Sequence, residues 1–136
     1  MPRFAPYGWQ RHQFNINVPA GDLASTSAIA VASALPLGFK YVIEKVTYVA
    51  SVAHTGAGGS RTLNIKKGST VVATGTLAVA DLGTAGAYKA LTVDPTKATF
   101  DDGDTLTIDF SSGGTVFTAG SGELIIQVRE EPQRIA

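Results

Sequence analysis

The chain has 136 residues, 44% of them hydrophobic, enough for one domain with a core of its own. It has no cysteine, which excludes disulfides and thiolate metal sites, and its 11 Lys/Arg balance 11 Asp/Glu, which argues against general nucleic-acid binding. Its longest uncharged stretch, residues 23–39, is broken by Ser, Thr, Pro36 and Gly38 and is too polar for a membrane span, and no secretory leader is expected.

The first twelve residues, Met1 to His12, form an extended N-terminal arm in this reading. They hold the only Trp, together with Phe4, Tyr7, Pro2, Pro6, Arg3 and Arg11, and no acid. Each proline removes a backbone donor and biases the residue before it toward extended backbone. A segment that cannot fold alone but carries three rings is expected to bury them on another surface, since each ring covers about 150–250 Å². The candidate partner-binding residues are therefore Arg3, Phe4, Tyr7, Trp9 and Arg11.

Strand signals dominate residues 13–130. Phe14, Ile16 and Val18 alternate with Asn15 and Asn17, and Pro19 to Asp22 reads as a turn. Leu23 to Ala34 is small and β-branched and reads as a strand, followed by a turn at Pro36 to Gly38. In Phe39 to Ala53 the apolar face switches at Glu44-Lys45, which predicts a bulge there. His54 to Ser60 reads as a flexible Gly-rich loop. Arg61 to Lys67 and Thr70 to Thr76 read as a hairpin around Gly68, with Leu63 and Ile65 inward. Leu77 to Ala87 reads as a Gly/Ala connection. Short strands follow at Tyr88 to Val93 and Ala98 to Phe100, then alternating strands at Thr105 to Phe110 and Leu124 to Val128. Gly120-Ser121-Gly122 reads as the turn before the last strand, and residues 131–136 as a polar tail.

Eight to ten short strands, no convincing helix and closely spaced turns predict an all-β protein, an antiparallel β-sandwich of jelly-roll type. Residues 1–67 carry seven Lys/Arg against two acids, and residues 68–136 carry four against nine. Either the halves interleave in space and the asymmetry disappears, or the surface is bipolar and suited to repeated contacts in an assembly.

No pattern for chemistry is complete. Asp101, Asp102 and Asp104 lack the spacing of a calcium loop and read as a turn. Lys66 to Thr70 is a hairpin, not a phosphate loop, and Gly56 to Gly59 lacks the strand-to-helix context of a dinucleotide site. The imidazoles are His12 and His54, and no nucleophile elbow accompanies them. Neither catalysis, nor a metal, nor a cofactor is expected.

Four segments carry a further signal: Leu77-Ala-Val-Ala-Asp-Leu-Gly-Thr-Ala-Gly-Ala-Tyr88, Leu91-Thr-Val-Asp-Pro95, Phe100-Asp-Asp-Gly-Asp-Thr-Leu-Thr-Ile-Asp109 and Gly120-Ser-Gly-Glu-Leu-Ile-Ile-Gln-Val128. Their cadence resembles the small β-sandwich decoration, or cement, proteins encoded near the capsid genes of tailed double-stranded DNA bacteriophages. The resemblance covers about residues 14–128. It implies a structural, non-enzymatic protein on the outer capsid surface of a virion. It further implies the phage major capsid protein as partner, bridged between subunits, and a homo-oligomer, trimer or dimer, with neither nucleic acid nor membrane as partner. The arm would then grip the capsid or a sister subunit. A second reading is a carbohydrate- or receptor-binding module of a head fibre or tail fibre.

Overall fold

Strong period-two alternation becomes strand, and the side facing inward is the apolar one. The structure is a computed structural model and describes residues 11–36, 39–101 and 103–131. Among these residues it forms strands β1 (Arg11–Val18), β2 (Ile29–Pro36), β3 (Tyr41–Thr55), β4 (Ser60–Lys67), β5 (Thr70–Ala78), β6 (Tyr88–Ala90), β7 (Thr92–Val93), β8 (Thr99–Phe100), β9 (Thr105–Phe110) and β10 (Ala119–Glu130). One antiparallel sheet has the order β1-β10-β3-β6, with β8 on the other end of β3; the second has the order β2-β9-β4-β5-β7. The chain changes sheet at every connection except the β4–β5 hairpin. This is the wrapped double Greek key of a jelly roll.

The two inner faces supply the core. Tyr41, Ile43, Val46, Tyr48 and Ala50 of β3 and Leu124, Ile126 and Val128 of β10 face Leu63, Ile65, Leu106, Ile108 and Phe110 of the other sheet, and all are buried. The bulge lies where the face switch places it. Gln127 pairs with Lys45 and Val128 with Ile43, so Glu44 is the extra residue. Without it, either the pair Tyr41/Ile43 or the pair Val46/Tyr48 would point into solvent.

Several boundaries differ from the sequence reading. β1 begins at Arg11, so Arg11 and His12 belong to the sheet and not to a segment ahead of it; Arg11 pairs with Arg129 and His12 with Val128. Residues 20–23 form a single helical turn, α1 (Ala20–Leu23), closed by the Ala24 N–H on the Ala20 carbonyl at 3.0 Å, and the strand expected from Leu23 starts only at Ile29. The turn aims Leu23 into the end of the sandwich, where its carbonyl accepts from the Phe117 N–H at 3.1 Å. A second turn, α2 (Val79–Leu82), buries Leu82 in the stretch expected to be a plain connection, after β5 has run on to Ala78. Both turns are Ala-containing and let one leucine plug the core, which a continuous strand or open loop would not do.

Arg61 is the unexpected core member. It shares parity with Leu63 and Ile65, and it is 0% exposed. Its guanidinium donates to three main-chain carbonyls, of Ser27 at 2.7 Å, Ser111 at 3.1 Å and Asp22 at 3.2 Å, and it lies 4.9 Å from the centre of the Phe110 ring. One side chain thus ties β4 to α1, to the crossing segment before β2 and to the end of β9.

Among the described residues, ion pairs cross between the basic and the acidic half of the sequence. Lys40 reaches Glu131 at 3.3 Å and Asp101 at 3.7 Å, and Lys66 reaches Asp109 at 2.9 Å, so basic residues of the first half meet acids of the second. These contacts are those expected where the two halves interleave.

Candidate functional site

Of the five residues expected to bind a partner, Arg3, Phe4, Tyr7 and Trp9 lie outside the described residues. Arg11 lies inside them. It heads β1, exposed, with its Nε 3.1 Å from Glu44 Oε1, and it lines a shallow surface groove of about 340 Å³ with His12, Gln13, Glu44 and Gln127. Behind it His12 contacts Glu130 at 2.9 Å and stacks obliquely on Phe39, ring centres 5.0 Å apart. Glu131, the last residue described, donates its N–H to the Lys40 carbonyl at 2.9 Å. Since Arg11 pairs with Arg129, and Glu130 with Tyr41, both ends of the described chain leave one corner of one sheet.

The outer face of that sheet is the other candidate surface. Asn17, Glu123, Val49 and Tyr88 form one row across β1, β10, β3 and β6; Asn15, Ile125, Thr47 and Ala90 form the next. Tyr88 is 68% exposed and Val52, on the same face, 54%. Val49 and Ile125 are half-buried between them and the amides of β1. An apolar centre rimmed by amides and charges has the composition of a protein-binding patch. Sequence reasoning missed it, because which side of a strand stays outside is set by the second sheet.

Other segments singled out by sequence have structural roles. Asp104 accepts from the Asp101 N–H at 2.9 Å within its turn. Among the described residues no three His, Cys, Asp or Glu side chains converge on a common point. The Gly56–Gly59 segment, expected to be flexible, is packed at its two ends, with Ala57 and Gly58 exposed between them: a side chain on Gly59 would collide with Phe117 and Val79 at 2.9 Å, and Gly56 has φ +129° beneath residues 116–118. His54, expected in that loop, is instead the penultimate residue of β3 and is buried: two register shifts, at Ser51 and between Val52 and Thr55, cancel and leave it on the inward side with Ala50.

Both His54 nitrogens are spent. Nδ1 donates to the Val52 carbonyl at 2.9 Å, leaving Nε2 to accept from the Tyr48 hydroxyl at 2.7 Å, and the Phe117 ring stands edge-on at 5.0 Å. Neither nitrogen is left to activate a nucleophile. Burial lowers the His54 pKa from its ordinary 6.5, against a smaller opposing effect of the Val52 hydrogen bond. Below about pH 6.5 the unfolded chain therefore takes up a proton that the folded chain refuses, and stability falls with pH by up to about 1.4 kcal/mol per unit. Urea unfolding at about pH 7.5 and pH 5 is expected to show this loss, and His54→Gln to remove most of it; equal stability at both pH values would contradict the assignment. Asp94, held low by hydrogen bonds from Thr96, acts only below its ordinary 3.8 and leaves this window clear.

The sequence matches no protein-family model and no curated protein. The fold does have a solved counterpart: the chain is similar to a chain of the cyanophage Pam1 capsid asymmetric unit, with a TM-score of 0.56 and 19% identity, over 93% of this chain and 89% of that one.

Proposed function

We propose that this chain is a structural, non-enzymatic protein of a tailed-phage virion, one that decorates the outer surface of the head and stabilises it by bridging major capsid protein subunits. The observation that carries this reading is the jelly roll shared over 93% of the chain with a component of a cyanophage capsid. Fold does not by itself choose a function. Three features of this chain support the choice: the aromatic arm in the sequence, the two ends of the described residues leaving one corner, and the apolar patch on the same sheet. Small contacts of this kind are weak singly, but repeated around a closed shell they add through avidity. Self-association into a trimer or a dimer belongs to the same reading, and no cofactor is required.

The test is to add purified protein to heads stripped of accessory proteins. Co-sedimentation and a raised disruption temperature are expected. Failure of both, or binding to a glycan array without binding to heads, would favour a fibre module instead. Deleting residues 1–10 leaves β1 intact and is expected to weaken head binding at least about tenfold, by removing the ring burial of Phe4, Tyr7 and Trp9. Unchanged binding by the folded deletion variant would remove the arm from the contact.

A further inference from the structure

Of the sandwich's edges, the one formed by β1 stands out. Its eight residues pair with β10 in unbroken register from Arg11↔Arg129 to Val18↔Gly122, and among the described residues nothing pairs with its other side. The usual protections of an edge are missing: it holds neither Pro nor Lys, and no bulge interrupts it. The remaining edges are guarded. The register of β2 is broken twice and the strand ends in Pro36, while β3 and β5 are flanked by the short β6, β8 and β7.

The side chains of β1 point to what covers it. On the inner side Phe14 and Ile16 are only half-buried, although their neighbours on β10, Ile126 and Leu124, are fully enclosed. Among the described residues the core is therefore open along this seam. On the outer side stand Gln13, Asn15 and Asn17, with Gln13 Nε2 donating to the side-chain oxygen Oδ1 of Asn15 at 3.1 Å. An amide both donates and accepts, so it can face its own copy without conflict, which a charge cannot.

We infer that β1 is a self-association edge, which pairs antiparallel with β1 of a second copy about a two-fold axis at Phe14 or Asn15. Residues facing each other across an antiparallel pair lie on the same side of the sheet, so the axis must pass through a residue position. At either centre the one fixed charge, Arg11, lies far from Arg11 of the second copy. Centred on Phe14, it faces Asn17, whose neighbour on β10 is Glu123. The seam joins the two sheets into one and closes Phe14 and Ile16 from water. Seven or so paired residues bury less than the roughly 1,200 Å² of a standard interface, so dimer is expected only at tens of micromolar or above.

The absence of cysteine makes the test direct, because an introduced thiol has only its own copy to react with. Asn15→Cys alone, and an equimolar mixture of Gln13→Cys with Asn15→Cys, cover the two centres; Ser51→Cys, exposed on the outer face and away from the edge, is the control. One of the first two is expected to give a reducible covalent dimer at least about tenfold faster than the control, since directly opposed strand residues lie within disulfide reach. Sedimentation of the unmodified protein should rise from 14.1 kDa toward twice that mass with concentration. Cross-linking no faster than the control, or a mass of one chain at every concentration, would overturn the inference. No heads are used, so the result is independent of the capsid reading.

Discussion

Replacing Arg61 by methionine is expected to destabilise the fold by about 3 kcal/mol and to lower its melting temperature by roughly 10 °C. Methionine keeps an unbranched apolar stem and removes the guanidinium, together with its contact on the Phe110 ring. Buried ion pairs can often be exchanged for apolar residues at little cost, because both charges disappear together. Here the partners are the neutral carbonyls of Asp22, Ser27 and Ser111, which stay behind without their donor. Each orphaned carbonyl costs about 1 kcal/mol or more. Arg61→Lys is expected to recover only part of the loss, because one ammonium cannot span three carbonyls on three segments. Urea unfolding decides: a loss under about 1 kcal/mol for Arg61→Met would show that the guanidinium holds nothing in place.

Arg61 also marks the limit of what the sequence discloses. Its inward direction was legible, since it shares the parity of Leu63 and Ile65 on β4. What it binds was not, because residues 22, 27 and 111 come together only when α1 and the end of β9 close over the same end of the sandwich. The same division runs through the fold. The alternating rows of β1, β9 and β10 and the bulge at Glu44 follow from local pattern, because burying one face of a strand leaves no other register. The Leu23 segment misled, since its small and β-branched residues suit a strand while its position requires a turn that inserts Leu23 into the core. The docking surface was least legible. The rings of the arm announce a partner, but the outer patch of Val49, Val52, Tyr88 and Ile125 is defined only by the sheet that covers its other side.

Gly122→Ala is expected to be about as damaging as loss of Arg61, with a cost of about 3 kcal/mol. Gly120 and Gly122 lie inside β10, not in a turn before it, and both face inward. A Cβ on Gly122 would press on the Tyr48 hydroxyl and ring and lie 2.5 Å from the Val49 carbonyl oxygen. A Cβ on Gly120 would lie 2.5 Å from His54 Nδ1, on backbone at φ +124° that favours glycine. The Gly-x-Gly spacing is thus a pair of notches at period two, one for each ring of the Tyr48–His54 hydrogen bond. This predicts a coupling. Tyr48→Phe alone removes the donor to His54 Nε2 and is expected to cost about 1 kcal/mol or more. In combination with Gly122→Ala it also removes the nearest of the atoms against which the new methyl collides, the hydroxyl, and leaves a ring that can shift more freely. The double variant is therefore expected to be at least about 1 kcal/mol more stable than the sum of the single effects predicts. Additivity within about 0.5 kcal/mol would mean that the Val49 carbonyl and the ring carbon, and not the tyrosine hydroxyl, demand the glycine.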